Sequence, residues 1–200
     1  MIRSLSKAAL LVALACTPLM HAQNNPSQTP SVDFGRSTVQ LNPAFVNAIQ
    51  SFGAVITDLQ GNPLQNNTIT FKAVAGAIDL TTSAGEVEHT GGMLISVAGL
   101  VFRLQNVTLD TSNPNAPVIT AAFIINDHFA GRQPLFNVQP PAGFVLPLAP
   151  QAGVLQVNGL VLTLAPAAAT TLNNLFGAPI LSPGLSIGTG NAYVVFAAAN

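Results

Sequence analysis

Residues 85–110 read GEVEHTGGMLISVAGLVFRLQNVTLD, and this segment determines the class of fold that the chain can adopt. Residues 85–89, 92–98 and 100–109 have the length of strands, and polar and apolar side chains alternate in the first run and around Phe102-Arg103-Leu104. Such alternation is typical of half-buried β-strands. Because Gly91-Gly92 marks a turn, we predict short antiparallel strands here.

The same strand pattern continues on both sides of this segment. Gly, Pro and Asn separate successive runs, as in Gly61-Asn62-Pro63 and Asn113-Pro114-Asn115. Short strands spaced by about 8–12 residues are typical of all-β domains. We therefore predict a mainly β protein, an antiparallel β-sandwich or barrel-like fold with two short helices. The further predicted strands are residues 37–41, 54–59, 68–74, 76–79, 118–125, 133–138, 154–164 and 192–197.

The first predicted helix follows the strand at 37–41. Asn42 is a good N-cap, Pro43 suits the first helical turn, and Gly53 suits the position after the end. One helical face is apolar, as its i, i+4, i+7 spacing shows. This face consists of Phe45, Ile49 and Phe52.

The second predicted helix repeats this arrangement near the C-terminus. A strand ends at Leu164, Pro166 follows in the first turn, and Phe176-Gly177 ends the helix as Phe52-Gly53 ends the first. The two corners are either a weak internal repeat or a convergent use of the same capping chemistry.

The first 22 residues have the layout of a secretory signal peptide. Arg3 and Lys7 form a basic start, residues 8–16 are apolar, and Ala22 precedes a candidate cleavage site. The apolar segment is too short to span a bilayer. We expect residues 1–22 to be a signal peptide, 23–32 a flexible linker and 33–200 a single β-rich domain. The mature protein is then secreted or periplasmic, with no transmembrane span.

Cys16 leaves a second route of export open. Ala13-Leu14-Ala15-Cys16 is an imperfect lipobox, so lipid anchoring through Cys16 is the alternative to soluble export. With cleavage after Ala22, the mature chain has no cysteine. That excludes a disulfide framework and a cysteine zinc site.

The chain is unusually poor in charge. Charged residues make up 6% of it, against about 25% in typical soluble domains. Removing Arg3 and Lys7 leaves 4 of the 6 basic residues against 7 acidic ones. Without a basic patch we expect no nucleic-acid partner. A surface that repels its neighbours weakly favours self-association or attachment to a cell-surface component.

The charged residues are also unevenly distributed. Residues 133–200 contain no Asp, Glu, Lys, Arg or His, so acid–base and metal chemistry must lie earlier. The sequence at 184–188, GLSIG, matches the G-x-S-x-G hydrolase motif. Because no acid or His follows it, its serine has no base and we expect a turn.

Glu86-Val87-Glu88-His89 is the densest titratable run. On a strand, Glu86 and Glu88 share one face and His89 points to the other. Two carboxylates on one face can bind a hard cation or act as an acid–base pair. The alternative is the solvated outer face of an antiparallel strand, with His89 as a hydrogen-bonded strand-end residue. We expect no metal site, since no metal-binding motif is present.

A second titratable group, Asp127, His128 and Arg132, lies in a predicted turn. Arg103 interrupts an apolar run and either faces water or pairs with an acid such as Asp79 or Asp110. We expect no catalytic residue. The candidate ligand-binding residues are Glu88, His89, Arg103, Asp127, His128 and Arg132.

Three stretches, residues 71–79, 85–92 and 104–110, resemble the HtaA-type domain of secreted bacterial proteins. The resemblance implies an exported β-rich binding module that captures haem through a tyrosine ligand. Where such domains carry Gly-x-Tyr-Asp, this chain has Gly76-Ala77-Ile78-Asp79, and its one tyrosine is Tyr193. We therefore expect no cofactor, and haem held by His89 or His128 is the alternative.

Two classes of function remain. The first is an exported, non-catalytic β-rich module for ligand binding or for association with the cell surface or with itself. The second is an extracellular glycan-acting enzyme, which needs two carboxyl groups at a set separation. With no Trp and one Tyr to stack on sugar rings, we favour the first. The candidate carboxylates for the second are Asp79, Glu86, Glu88, Asp110 and Asp127.

Overall fold

The computed structural model describes residues 29–198. This part of the chain contains ten β-strands and two α-helices. A short 3-10 turn, Gln65–Asn67, precedes the third strand. The elements are β1 (Val32–Leu41), α1 (Pro43–Gln50), β2 (Val55–Asp58), β3 (Thr68–Ile78), β4 (Gly85–Thr90), β5 (Gly92–Val97), β6 (Leu100–Asp110), β7 (Val118–Ile125), β8 (His128–Gln139), β9 (Val154–Leu164), α2 (Pro166–Phe176) and β10 (Ser186–Phe196).

The sheet closes on itself through the pairing of β6 with β7. Its strands follow the order β6-β4-β3-β1-β10-β9-β8-β7, and every neighbouring pair is antiparallel. The result is an eight-stranded barrel, which β5 and β2 extend beside β6 as two extra strands. The prediction of a mainly β, antiparallel fold with two short helices is confirmed, and its form is a barrel.

A β-bulge divides β6 between two sets of partners. Up to Gln105 the strand pairs with β5 and β7, and from Thr108 it pairs with β4 and β7. The register shifts between these two residues, and Asn106 has a φ of 52° there. Asn tolerates this left-handed conformation better than most residues. The bulge therefore lets one long strand serve both the barrel and its extension.

Both helices cover the same end of the barrel. The strands that precede them, β1 and β9, lie on either side of β10 and run antiparallel to it, so both point the same way. Asn42 Oδ1 accepts a hydrogen bond from the Ala44 N–H at 2.9 Å and caps α1. Gly177, with a φ of 65°, ends α2 in the left-handed conformation. The predicted caps at Asn42 and Gly177 are confirmed, whereas the predicted cap at Gly53 is wrong, because α1 ends at Gln50 and Ser51 is its C-cap.

Some element boundaries differ from the predictions. Phe52 lies beyond α1, is 44% exposed, and places its ring 6.2 Å from that of Phe176 instead of completing the buried helix face. The two strands predicted within residues 68–79 are one strand, β3, because Gly76 continues the pairing with β4. Strands β1, β8 and β10 begin earlier than predicted, since their first residues pair although polar residues and glycines interrupt the apolar alternation.

The barrel interior holds two apolar clusters. The larger one lies under the helices and includes Phe45, Ile49 and Leu172. The smaller one lies at the opposite end, where Val32 of β1 pairs with Phe196 of β10, so the chain enters and leaves the barrel there. The members of the smaller cluster are Val32, Ala73, Ile78, Val87, Leu155, Val194 and Phe196.

Within residues 29–198, no helix is long and apolar enough to cross a membrane. The predicted signal peptide, including Cys16, and residues 23–28 of the predicted linker lie outside the described residues. Export and domain boundaries therefore stay predictions.

Candidate functional site

An apolar cavity of about 270 Å³ lies at the barrel end opposite the helices. Its wall consists of inward-facing side chains from β1, β3, β4, β6, β8, β9 and β10. Cavities of this kind in barrel mouths are common sites for small molecules. The apolar strand residues that line it include Ile78, Val87, Leu109, Val138, Leu155, Val157, Leu160 and Val194.

The proline-rich connection between β8 and β9 covers this cavity. Phe144, Leu146 and Leu148 line it from that segment, and the backbone N–H of Leu148 donates a 2.5 Å hydrogen bond to the Leu80 carbonyl. Leu146 is nevertheless 47% exposed, and Val145 beside it is 73% exposed. The cover therefore presents apolar side chains to solvent as well as to the cavity.

His89 on β4 is the buried polar residue of this site. Its side chain is 6% exposed, and Nε2 lies 2.8 Å from the hydroxyl oxygen of Ser37 on β1. The ring of Phe71 meets the imidazole edge to face, with centroids 6.4 Å apart. The second ring nitrogen, Nδ1, is buried and has no hydrogen-bond partner. His89 thus has a fixed orientation and one unused hydrogen-bonding atom.

Desolvation by the surrounding side chains lowers the pKa of His89 below its usual value. Interactions with the backbone of Val87 and Val107 oppose this shift, but they give Nδ1 no hydrogen bond of acceptable geometry. The imidazole is therefore neutral at pH 7. Because the Ser37 hydroxyl can donate to Nε2 or accept from it, Nδ1 can act as the acceptor or as the donor.

A second, smaller cavity of about 40 Å³ lies deeper in the barrel. Ser37 and His89 line both cavities, so the hydrogen-bonded pair separates them. The deeper cavity is lined mainly by apolar side chains such as Phe136 and Leu162. The pair is thus a single polar contact between two apolar spaces.

Three of the predicted site residues, Glu88, His89 and Arg132, line an open groove of about 550 Å³ on the outer barrel face. Glu86 and Asp110 lie directly opposite each other in the same groove. No Phe or Tyr lines it. His89 contributes to its floor but points its ring to the barrel interior. The prediction that Glu86 and Glu88 share the outer face while His89 points inward is thus confirmed.

Arg132 stabilises the bulge of β6 instead of approaching Asp127. Nη1 donates to the hydroxyls of Thr108 and Thr120 at 3.1 and 2.9 Å, and Nη2 donates to the Asn106 carbonyl at 2.5 Å. These contacts join β8 to β6 and β7. The guanidinium therefore stabilises the bulge through these hydrogen bonds.

The remaining predicted residues lie at the β7–β8 hairpin. Asn126 and Asp127 both have positive φ and form its two-residue turn, which His128 follows. Arg103 Nη2 lies 3.4 Å from Asp127 Oδ1, and it pairs with this exposed carboxylate rather than with Asp79 or Asp110. The six predicted residues therefore fall into separate groups: Glu88 with Arg132, His89 inside, and Arg103 with Asp127 and His128.

The other acidic candidates also have local structural partners. Asp79 Oδ1 accepts hydrogen bonds from the backbone N–H groups of Thr82 and Thr81 at 2.9 and 2.8 Å, which lower its pKa. Asp110 Oδ1 accepts from Ser112 N and Oγ. In the described part of the chain, no three His, Asp or Glu side chains are arranged to hold a metal ion.

Sequence reasoning missed the cavity and the partner of His89. The lining residues come from strands far apart in sequence, and Ser37 precedes His89 by 52 positions. The available signal was the burial that strand alternation implies for His89, since a buried polar group requires a partner. The identity of that partner depends on the strand order of the barrel.

No family model matches this sequence, and no curated protein matches it. The fold, in contrast, matches solved structures. The C-terminal domain of HtaA from Corynebacterium glutamicum superposes with a TM-score of 0.64 at 15% sequence identity, covering 84% of this chain and 99% of that one. The N-terminal domain of the same protein gives a TM-score of 0.56 at 12% identity, with the same coverage. The barrel therefore has the fold of the HtaA domains, which the resemblance of residues 71–79, 85–92 and 104–110 predicted.

Proposed function

We propose that this chain is an exported, non-catalytic binding module that holds a small, mainly apolar ligand in the cavity at the barrel end. The cavity of about 270 Å³ carries this proposal. A molecule of comparable size, such as a medium-chain fatty alcohol or acid, matches both the volume and the apolar lining.

His89 supplies the polar recognition that such a ligand needs. A neutral imidazole held by Ser37 can form one further hydrogen bond through Nδ1 without placing a charge in an apolar cavity. Since Nδ1 is buried, we infer that a ligand hydroxyl or protonated carboxyl reaches it through a small adjustment of the lining. The ligand class is thus apolar, with one terminal polar group.

A variant that fills the cavity tests this function. Val157 lines the cavity and is half-buried, whereas Val161 on the same strand points outwards and is 39% exposed. Decanol and decanoic acid are titrated calorimetrically into the purified protein and its variants. We expect binding to the unmodified protein, its loss in Val157→Phe, and its retention in Val161→Phe.

Three results contradict the proposal or the role that it gives His89. Absence of decanol and decanoic acid binding to the unmodified protein excludes this ligand class. Equal binding to both valine variants, when both unfold at the same temperature as the unmodified protein, places the ligand outside the cavity. An unchanged affinity of His89→Phe for decanol would contradict the role of Nδ1, because this variant keeps an apolar cavity but has no hydrogen-bonding atom at this position.

Haem capture is the second candidate, and the likeness of the fold to the HtaA domains favours it. The residues fit haem poorly. Ile78, at the position of the expected tyrosine, is 6% exposed and lines a cavity much smaller than a porphyrin, and Nε2 of His89 is engaged by Ser37. Haemin titration tests this candidate: a Soret band lost in His89→Ala or His128→Ala supports it, and no band at micromolar haemin excludes it.

The distribution of acidic side chains supports binding over catalysis. Glu86, Glu88 and Asp110 share an open outer groove without a Phe or Tyr, whereas Asp79 and Asp127 lie in separate turns. A glycosidase requires two carboxyls across a cleft that holds the sugar. We therefore propose no enzymatic activity, and we propose a secreted or periplasmic location because the signal-peptide pattern stands at the N-terminus.

A further inference from the structure

A cross-strand row on the outer barrel face brings two cations side by side. Arg36 on β1 pairs with Lys72 on β3 on one side and with Tyr193 on β10 on the other, and Tyr193 pairs with Gln156 on β9. The four side chains therefore follow one line across four hydrogen-bonded strands. Directly opposite residues place their Cβ atoms about 5 Å apart.

The charge arrangement of this row is unfavourable for stability alone. Like charges directly opposite each other in a sheet are destabilising. Residues 29–198 contain 4 Lys and Arg residues, two of which, Arg36 and Lys72, lie opposite each other. Neither has an acidic partner within salt-bridge distance among the described residues, whereas Arg103 has one. Both cations are exposed and available to an external anion.

Aromatic and amide side chains surround the cations. Tyr193 is 42% exposed and Phe34 is 56% exposed, and together with Arg36 they line a groove of about 540 Å³. The next row adds a hydroxyl and two amides at Thr38, Asn191 and Asn158. The groove therefore combines positive charge, exposed aromatic faces and neutral hydrogen-bonding groups.

We propose that this face binds an acidic polysaccharide, a chain of sugar rings that carry carboxylates. Arg36 and Lys72 pair with the carboxylates, since Arg binds a carboxylate through two parallel hydrogen bonds. Tyr193 and Phe34 pack against the apolar faces of the sugar rings. The amides of Gln156, Asn158 and Asn191 bond the hydroxyls. This site is separate from the cavity and independent of the ligand proposed there.

Other anionic partners fit the face less well. Nucleic acids require basic side chains along several phosphates, and this face has two cations in a chain with an excess of acidic residues. An anionic membrane requires an apolar surface to insert or a polybasic cluster. The amides and hydroxyls beside Tyr193 match neither requirement.

Binding to polygalacturonate, with dextran as the neutral control, tests the site. We expect the protein to bind polygalacturonate and to release it as salt rises, because exposed charges are screened. Arg36→Gln, Lys72→Gln and Tyr193→Ala should each weaken binding about tenfold, the effect of losing about 1.4 kcal/mol of interaction. Arg103→Gln and Phe129→Ala remove a charge and a 69%-exposed aromatic elsewhere, and they should leave binding unchanged.

Three outcomes overturn the proposal. Equal binding of dextran shows that the cations are not used. Equal weakening by Arg103→Gln shows that net charge, and not this face, controls binding. Tighter binding of an oligothymidylate or of anionic vesicles identifies a different class of partner. The unfolding temperatures of all variants should match, so that differences in binding do not reflect differences in folding. Decanol binding at the cavity is measured in parallel, because the two sites are independent.

Discussion

His89 Nε2 and Ser37 Oγ form a 2.8 Å hydrogen bond between β4 and β1, two strands that are not neighbours in the sheet. Strand β3 lies between them, so the bond crosses the inner face of the barrel. It satisfies one nitrogen of a buried imidazole and leaves Nδ1 unpaired. The same histidine therefore joins two strands of the barrel and supplies an unpaired polar atom beside the cavity.

The first prediction concerns pH. Burial lowers the pKa of His89 in the folded protein, whereas in the unfolded chain its pKa is about 6.5. As pH falls below about 6.5, the unfolded chain binds a proton that the folded protein does not, so the free energy of unfolding decreases. The loss is at most about 1.4 kcal/mol per pH unit and disappears above that pH. Urea unfolding between about pH 7.5 and 5.5 measures it.

Matched variants assign this pH dependence. His89→Gln should flatten it, and His128→Gln, at the exposed hairpin, should preserve it. The carboxyls of Asp58 and Asp79 have lowered pKa values, so their contribution is lost only below about pH 4, outside this window. An unchanged slope in His89→Gln would contradict the assignment.

The second prediction concerns the bulge of β6. Arg132→Gln removes three hydrogen bonds that join Thr108, Thr120 and Asn106, and we expect a loss of about 1 kcal/mol in the free energy of unfolding. Amide exchange at Val107 should also accelerate. Arg103→Gln is the control, since its pair with a largely exposed Asp127 contributes about 0–1 kcal/mol. A larger effect of Arg103→Gln would show that net charge dominates.

The third prediction concerns the end of α2. Gly177 has a φ of 65°, and a Cβ there would meet no atom within 4 Å. Gly177→Ala should therefore cost only backbone strain, about 1 kcal/mol, and Gly177→Asn should cost less because Asn tolerates this conformation. Equal thermal stability of all three proteins would show that the helix end frays.

The fourth prediction concerns the start of β5. A Cβ on Gly92 would overlap the Leu104 carbonyl oxygen, a backbone atom that side-chain rotation cannot move. Gly92→Ala should therefore displace β5 from β6 and destabilise the protein by about 2 kcal/mol or more. Gly61→Ala, in an open turn with a φ of 85°, is the control and should cost only backbone strain, about 1 kcal/mol. Similar values for both variants would mean that β5 pairs loosely.

Local chemistry made much of the fold predictable. Asn42 and Pro43 determine the start of α1, Gly177 determines the end of α2, and alternation assigns Val87 and His89 to the inner face. Barrel closure was not predictable, because a closed barrel and an open sandwich show the same alternation of apolar and polar residues along each strand. The pairing of β6 with β7, which closes the barrel, leaves no further mark in the sequence. Phe52 was misplaced since helical spacing continues past the residue at which the helix ends.

The sites were harder to predict than the fold. Titratable residues drew attention to Arg132 and Asp127, yet both have local structural partners. The residues that carry the proposals are Ser37, Val157 and Tyr193, which have no motif and acquire their surroundings only from strand register. These residues can be recognised as candidates only once the pairing of β1 with β10 and of β10 with β9 is known.

The pairing of Val32 with Phe196 has a mechanical consequence. Tension applied through the segments before β1 and after β10 pulls two antiparallel strands apart from the same end. Such a force loads the hydrogen bonds of this ladder one after another, in the unzipping geometry. In the shear geometry they would all be loaded together. The ladder would separate from Val32 towards Leu41, so the cavity would open before the helix-covered end yields.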